Sequence, residues 1–336
     1  MDFLNALVAL LNYVVVPAAA YGSQLALGAL GATLVYGILR FSNFALGDTM
    51  SFGTAIVILT TWWMQGMGIH LGHLPTALLA LPVGIVMTAL LVLATDRAVY
   101  RFYRRQKASS VILVIVSMGV MFIMSGLTRV IIGVEEIRFD DGTKFIITAG
   151  DFKAATGLAE GLAIRSTQAL TFVSAFAVMA GLFWFLNKTR TGKSMRAFSD
   201  NEDLALLSGI NPERVVMVTW IIASALAVIA GTLYGLDKSY KTFNYFQLLL
   251  PIFAAAVVGG LGNPLGAIAG GFLVAFSEVG FTYAWKKVAT YLLPDSLAPD
   301  GLLQLLSTDY KFAVSFAILI AVLLFKPTGI FKGKSV

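Results

Sequence analysis

The sequence has no cysteine, only two histidines and few charged residues, 12% of the total against about 25% in soluble proteins. The absence of cysteine excludes disulfides, thiolate metal sites and thiol nucleophiles. The shortage of charge, together with 58% hydrophobic residues, excludes a disordered chain and argues against a soluble globular one. We therefore predict an all-α, polytopic transmembrane bundle. The net charge of +6 is expected in cytoplasmic loops and does not indicate a nucleic-acid partner.

Ten stretches of the chain are apolar enough to be transmembrane helices, which need roughly 20 residues each. They cover residues 3–20, 22–39, 45–67, 76–99, 109–132, 169–186, 215–236, 246–260, 265–285 and 312–325. Asn12 and Pro17 interrupt the first stretch and the eighth is short, so we expect about eight to ten spans in the lipid bilayer. No gap is long enough for a soluble domain, and residues 1–336 are predicted to form a single transmembrane domain.

The charges of the intervening segments predict the orientation of the spans. Residues 96–107 carry five cations and one acid, and residues 188–196 carry four cations and no acid. Residues 129–165 instead carry five cations and six acids. The positive-inside rule places the two basic segments in the cytoplasm. With ten spans, both termini are then cytoplasmic.

Two segments on the expected outer side are longer than simple loops. Residues 133–168 form a periplasmic loop elaboration, with a strand expected over 145–148 and a short helix over 151–162. Residues 286–310 include Pro294 and Pro299 and are expected to hold another short helix.

Enzyme chemistry has little support in this sequence. His70 and His73 stand three residues apart with no cysteine or nearby acid, so we expect no metal site there. Residues 192–194 end like a phosphate-binding loop, but Asn187 stands where that motif requires glycine. We expect no catalytic residue and no nucleotide site on this chain, so ATP-coupled transport would need a separate ATPase subunit.

Acidic residues are scarce inside the predicted spans. Asp48 lies near the cytoplasmic start of the third span, and Glu278 lies well inside the ninth. A charge in hydrocarbon costs at least about 2.5–3.5 kcal/mol, so each is expected to face protein or water. One interpretation is a substrate pathway lined by Asn43, Asp48 and Glu278. The other is structural, with Asp48 at a helix start and Glu278 pairing two helices.

The densest glycine cluster covers residues 259–271. Gly262, Gly266 and Gly270 are four residues apart, which predicts one helical face on which backbones approach closely. A helix break at Asn263 and Pro264, exposing backbone dipoles to a pathway, is a compatible interpretation.

Residues 187–214 are predicted to form a folded elbow. Ser199 or Asp200 can cap a short helix over residues 201–207, and Ser199 with Glu202 has the spacing of a capping box. This helix has a small apolar face made of Leu204, Ala205, Leu207 and Ile210. It is either a surface helix resting on the bilayer or a docking helix for a cytoplasmic partner.

The end of the elbow also has local signals. Gly209 can terminate the short helix, and Pro212 can begin the next one at a favoured position.

At these residues the chain resembles the high-affinity branched-chain amino acid ABC permeases. The resemblance rests on the elbow from Thr191 to Asn211 and on three further stretches in the same order as in the family. These are residues 34–48, residues 223–231, and the glycine cluster followed by Glu278. The similarity runs from about residue 22 to 280 and is greatest to the first of the family's two permease subunit types, the H type.

The resemblance implies an ABC importer permease fold in a bacterial inner membrane. It implies a heterodimer with a second related permease chain, two cytoplasmic ATPase subunits that use ATP and Mg, and a periplasmic substrate-binding protein. This chain itself would bind no cofactor. The elbow would be the coupling helix, with the contact residues Arg196, Ala197, Asp200, Asn201, Glu202, Leu204, Ala205, Gly209, Ile210 and Asn211.

The chain also departs from this family. Leu46 stands where the family usually has histidine, and residues 133–168 and 286–310 look extended. The expected substrates are branched-chain or other small amino acids, and urea or short-chain amides are an alternative within the same family. An autonomous secondary transporter that uses Asp48 and Glu278 is the alternative outside it.

Overall fold

Long helices dominate the computed structural model, which describes residues 1–139, 142, 144–292, 301, 303–326 and 328–331. The helices are α1 (Asp2–Leu39), α2 (Leu46–Gly66), α3 (Ala77–Arg105), α4 (Ser110–Ile132), α5 (Ala149–Thr156), α6 (Ser166–Lys188), α7 (Arg190–Asp200), α8 (Glu202–Leu207), α9 (Pro212–Asp237), α10 (Thr242–Gly259), α11 (Pro264–Thr282), α12 (Lys286–Leu292) and α13 (Lys311–Phe325). The strands β1 (Phe145–Ile147) and β2 (Ile164–Arg165) form one antiparallel pair.

Within the described residues, eight helices are long and apolar enough to cross a membrane. The helix α2 is not among them, although it has 21 residues. It is more polar because its buried surface includes Asp48, Ser51 and Thr54. The prediction of a polytopic, all-α membrane protein is therefore confirmed.

The first two predicted spans are in fact one helix. Residues 3–20 and 22–39 both lie in α1, which continues for 38 residues, or about 57 Å at 1.5 Å per residue. A π-helical turn over Leu11–Val15 precedes Pro17 and keeps the helix continuous, because such a turn shifts the hydrogen-bond register that proline would break. A continuous helix cannot cross the membrane twice, so the expectation of ten spans is wrong at this point.

Contacts define two ends of the bundle. We call the end that carries residues 187–214 the elbow end and the end that carries residues 133–168 the loop end. At the close of α1, the Arg40 guanidinium donates to the Ser199 carbonyl, 2.6 Å away, at the elbow end. At its start, the Asn5 side chain accepts a hydrogen bond from the Ala159 amide, 3.1 Å away, at the loop end.

The start of α1 and the last described segment, residues 328–331, lie at opposite ends of the bundle. The Ile330 amide donates to the Val258 carbonyl at 2.8 Å, close to the turn after α10, where Gly262 shares a cleft with Arg196 and Ser199 of the elbow. This placement of the described ends differs from the expectation that both termini are cytoplasmic, because that expectation counted α1 as two spans.

The helix α1 is the centre of the bundle. From Ala18 to Val35 every residue is buried, which is typical of a helix enclosed by others on all sides. It packs against α9, α10 and α11. Small residues allow this close approach: a Cβ atom built at Gly271 of α11 would lie 2.7 Å from the Ala26 Cα of α1.

The loop end has the small structures that the sequence predicts, with different bounds. The expected strand over 145–148 is present as β1. The expected helix over 151–162 is instead α5, because Thr148 caps its start by accepting from the Asp151 amide at 3.2 Å. Gly157, with φ 70°, ends it.

The short helix expected within residues 286–310 is α12, and it packs on the first turns of α1. Pro294 and Pro299 lie outside the described residues. The Lys287 ammonium is 2.8 Å from a carboxylate oxygen of Glu160, and the Tyr291 hydroxyl donates to the other oxygen at 2.7 Å.

These contacts keep the Glu160 carboxylate ionised. Burial raises the pKa of Glu160, but the Lys287 and Tyr291 contacts outweigh burial and hold that pKa below its ordinary value. A depressed carboxyl pKa contributes stability above the ordinary carboxyl pKa, and the contribution is lost as the pH falls through the lowered value. The contact between α12 and residue 160 is therefore intact at neutral pH.

Replacement of Gly271 by alanine tests the packing of α1. We expect Gly271→Ala to destabilise the bundle by about 1–3 kcal/mol, as overpacking typically does. The matched control is Gly280→Ala on the same helix, where an added Cβ meets nothing within 4 Å. Thermal unfolding in detergent should show a lower midpoint for Gly271→Ala alone, and equal midpoints for the two variants would refute this packing.

Thiol labelling tests the opposite placement of the two ends of α1. The natural chain has no cysteine, so Asp2→Cys and Lys193→Cys each introduce a single thiol at an exposed residue. In sealed, uniformly oriented vesicles, we expect a membrane-impermeant maleimide to label Asp2→Cys and Lys193→Cys from opposite sides. Labelling of both from one side would contradict a continuous α1.

Candidate functional site

The elbow consists of two helices with a capping residue at the start of each. Thr189 caps α7 by accepting from the Gly192 amide at 3.0 Å. Asn201 caps α8 by accepting from the Leu204 amide at 3.0 Å. The prediction of a folded elbow with a short helix near residues 201–207 is confirmed, but the cap is Asn201 and neither Ser199 nor Asp200 serves.

The end of α8 is equally well defined. Gly209 has φ 79°, and the Ile210 amide donates to the Ala205 carbonyl at 3.0 Å, which is the Schellman arrangement of a helix C-terminus. Asn211 then caps α9 by accepting from the Arg214 amide, with Pro212 in the first turn. The predicted roles of Gly209 and Pro212 are confirmed, and α8 is held rigidly at both ends.

The apolar residues of α8 do not form one face. Ala205 is 3% exposed and packs inward, and Ile210 is half-buried. Leu204 and Leu207 point outward and are 61% and 85% exposed. Glu202 precedes them, also exposed. An outward pair of leucines on a rigid, acidic short helix is a protruding surface suited to a protein partner.

The remaining elbow residues lie on α7. Arg196 and Ala197 are exposed, and the Arg196 guanidinium donates to the Asn187 side-chain oxygen at 2.9 Å. Arg196 and Asp200 line a cleft of about 160 Å³ together with Gly37 of α1 and the turn at Gly262. The structure therefore brings the elbow, the end of α1 and the glycine-rich turn together.

Ser199 joins the elbow to α1. Its hydroxyl donates to the Gly37 carbonyl at 3.0 Å, and its own carbonyl accepts from Arg40. Arg40 ends α1 with φ 57°, a left-handed conformation. We call these two hydrogen bonds the Ser199 clamp. The sequence did not indicate it, because Ser199 and Gly37 are 162 positions apart.

A second polar cluster, around Asp96 near the elbow end, also was not predicted from the sequence. The Asp96 carboxylate accepts from the Trp220 indole at 2.7 Å and from both guanidinium nitrogens of Arg104. Tyr100 stacks on Trp220 and donates to the Asn43 side-chain oxygen at 3.2 Å. Asn43 is thus buried within a structural network. The one signal for it was an acid, Asp96, at the head of a basic segment.

Glu278 lies between three helices. Its carboxylate accepts from the Ser315 hydroxyl of α13, and Lys311 of the same helix acts on it electrostatically. Tyr21 of α1 is the third neighbour. These contacts agree with the helix-pairing interpretation and do not test the pathway interpretation.

Asp48 lies deeper in the bundle than the sequence suggested. The Phe44 amide, just before α2, donates to the Ser117 hydroxyl of α4 at 3.1 Å. Because Ser117 is seven residues beyond the start of α4, the helix α2 begins inside the bundle. Asp48, on the first turn of α2, is 1% exposed. It faces Ser125 and Arg129 of α4 in an open pocket.

The glycine cluster divides between a turn and a helix. Gly266 and Gly270 pack α11 closely against α10, because a Cβ at either would overlap a carbonyl oxygen of α10. Gly262 is not on that face. It lies in the turn, with φ 83°, and Asn263 caps α11 by accepting from the Gly266 amide at 3.1 Å. The predicted break at Asn263 and Pro264 is therefore the turn between two helices.

Comparison with known proteins shows which family the chain belongs to. The family model for the permease component of branched-chain amino acid transport systems matches residues 14–323. The high-affinity branched-chain amino acid transport system permease protein LivH of Escherichia coli K12 is 31% identical over 316 residues, covering 92% of this chain and 91% of that protein. The corresponding permease protein BraD of Pseudomonas aeruginosa is 31% identical over 315 residues and covers 92% of each chain.

An archaeal protein extends the comparison. The probable branched-chain amino acid transport permease protein LivH of Methanocaldococcus jannaschii is 30% identical over 314 residues, covering 92% of this chain and 89% of that one. All three relatives are transport permeases and not enzymes. The chain is therefore a multi-pass membrane transport subunit, and it belongs to the family of branched-chain amino acid transport system permease components.

Proposed function

We propose that this chain is one transmembrane subunit of an ATP-driven importer that carries branched-chain amino acids across a bacterial inner membrane. The observation that supports this most directly is α8, a rigid short helix that presents Leu204 and Leu207 outward at the basic end of the bundle. A transporter subunit without a nucleotide-binding motif needs such a surface to bind a separate ATPase and couple ATP hydrolysis to transport.

The elbow end is the cytoplasmic end in this proposal. Arg40, Arg101, Arg104 and Arg105 surround one pocket there, and the positive-inside rule places such a concentration of arginine in the cytoplasm. Two ATPase subunits bind at this end and supply the ATP and Mg sites. This chain binds no cofactor, and its contacts with an ATPase are made by α8 and the exposed part of α7.

The loop end is then periplasmic and receives the substrate-binding protein. Its surface is made by the β1–β2 pair, α5 and α12. The helix α12 packs on the start of α1, and the Glu160–Lys287 contact joins α12 to residue 160. A second, related permease chain completes the pathway. The helix α4 supplies a broad apolar face for that chain or for lipid, with the exposed residues Val111, Ile115, Ile123 and Val130.

The Ser199 clamp connects ATP hydrolysis at the elbow end to the packing of α1. A displacement of the elbow by an ATPase acts directly on Gly37 and Arg40, at the end of α1. Because α1 is buried along most of its length, it cannot move without displacing α9, α10 or α11. The clamp is therefore the route by which ATP hydrolysis changes the packing around the pathway.

Replacement of Leu207 tests the docking of the ATPase. We expect Leu207→Asp to remove the ATPase subunits from the complex purified in mild detergent, because it places a charge at the centre of an apolar contact. The control is Leu74→Asp, a leucine that is also exposed but lies at the loop end. Mass spectrometry of the purified complexes gives the result, and unchanged ATPase recovery with Leu207→Asp would refute this docking surface.

Replacement of Ser199 tests the transmission step. Ser199→Ala removes one hydrogen bond, worth about 0.5–1.5 kcal/mol, without touching the outward face of α8. We expect the ATPases to remain bound, and uptake per ATP hydrolysed in proteoliposomes to fall about threefold to tenfold. Ser194→Ala is the control, because the Ser194 hydroxyl donates to the Arg190 carbonyl within α7 itself. Equal coupling in both variants would contradict the clamp.

A further inference from the structure

A pocket between α2, α4 and α10 has no role in the elbow or in the packing of α1. Its volume is about 290 Å³, which is large enough for a small solute. Asp48 comes from α2, Ser125 and Arg129 come from α4, and Phe243 and Phe246 come from α10. We call it the Asp48 pocket.

The Asp48 pocket lies within the membrane-spanning layer. Ser125 is 15 residues beyond the start of α4 at Ser110, or about 22 Å along the helix. Arg129 is one turn further towards the loop end. The pocket is therefore in the outer part of a hydrocarbon layer about 30 Å thick. A buried carboxylate such as that of Asp48 is rare at this depth and typically marks a substrate or ion pathway.

The carboxylate of Asp48 lacks a complete set of partners. The Ser125 hydroxyl interacts with this carboxylate, but the residue is 1% exposed and its Oδ1 atom has no hydrogen-bond partner among the residues that the structure describes. An unpaired buried acceptor of this kind costs about 1–3 kcal/mol. The missing partner is a donor, and a charged donor such as an ammonium group makes a hydrogen bond to a carboxylate about twice as strong as a neutral donor does.

Arg129 supplies the opposite charge on the other side of the pocket. Its side chain is exposed, and no ion pair of 4 Å or less joins it to Asp48, both residues lying in the described part of the chain. Asp48 and Arg129 are nevertheless close enough to interact electrostatically. A ligand placed between them would meet one negative and one positive group, and a guanidinium binds a carboxylate through two parallel hydrogen bonds.

The rest of the lining is apolar. Phe122, Phe243 and Phe246 line the pocket, and each is substantially exposed. These rings offer a surface for an aliphatic side chain, and their exposure keeps the pocket open on the side of α4. We propose that the Asp48 pocket is a transit site for an α-amino acid zwitterion, with its ammonium at Asp48, its carboxylate at Arg129 and its side chain on the three phenylalanines.

This assignment rests on the proposed function, since it takes the solute to be an amino acid, and it adds the residues that hold the two charges. The site is half open and has one full carboxylate and one exposed guanidinium. It therefore holds the solute weakly, as a conduction step requires, because a tightly held solute would not leave.

Uptake by the complete transporter in proteoliposomes is the first test. We expect Arg129→Gln to lower L-leucine uptake per ATP hydrolysed about tenfold, with Arg129→Lys intermediate because it keeps the charge but loses the two-bond contact. The control is Lys241→Gln, an exposed cation just before α10 that does not line the pocket.

Thiol protection is the second test, and it does not depend on turnover. In the complete transporter carrying Ser125→Cys, we expect millimolar L-leucine to slow modification of this chain's single thiol by a small cationic thiol reagent. The analogues 3-methylbutylamine and 4-methylpentanoate each carry only one of the two charges and should protect far less. Protection by leucine should be lost when Arg129→Gln is added.

The outcomes of these two tests distinguish a failure of the proposed function from a failure of the Asp48 pocket assignment. If the unmodified transporter imports no branched-chain amino acid, the proposed function fails. If it imports L-leucine but Arg129→Gln matches Lys241→Gln and leucine gives no protection, only the Asp48 pocket assignment fails. Protection by phosphatidylethanolamine vesicles without leucine, compared with phosphatidylcholine vesicles, would show a lipid headgroup in the pocket and would also overturn the assignment.

Discussion

The close packing of backbones around α1 is the constraint on which the rest of this structure depends. In a bilayer, helices gain little from the hydrophobic effect, and small residues that permit close contact take over much of its role. The Gly271–Ala26 contact and the α10–α11 contact at Gly266 and Gly270 are of this kind. Such interfaces have little room to deform, so α1 and its neighbours move as packed bodies.

Helix α4 is held very differently. It packs mainly on α2 and presents most of its surface outward. Its polar links to the region around α2 include the Phe44–Ser117 contact and the Thr49–Met124 contact. The bundle thus combines a densely packed centre with a helix at its edge that makes fewer contacts. The Asp48 pocket lies at the boundary between these two regions.

Local sequence signals predicted local structure well. Gly209 and Pro212 act where the sequence indicated, and β1 and the short helices at the loop end exist with shifted bounds. The long-range pairings were not predictable, because nothing in the segment around Ser199 indicates that its hydroxyl donates to the Gly37 carbonyl. The continuity of α1 was missed because hydropathy cannot distinguish a proline that ends a helix from one that a π-helical turn absorbs. Gly262 was misplaced because its spacing fits a helix that Pro264 begins only two residues later.

The backbone conformation of Arg40 affects the free energy that is needed to separate the elbow from the central helix α1. We call this contact the joint. A left-handed conformation costs a residue with a side chain roughly 1–2 kcal/mol relative to the right-handed one, and glycine would avoid that cost. Arginine is present, and its guanidinium is what reaches the Ser199 carbonyl. The joint therefore stores strain of about the same size as the hydrogen bonds that maintain it. If the turn at Arg40 rearranges when the clamp breaks, this strain is released, and the joint then opens at a smaller free-energy cost than its two hydrogen bonds alone would suggest.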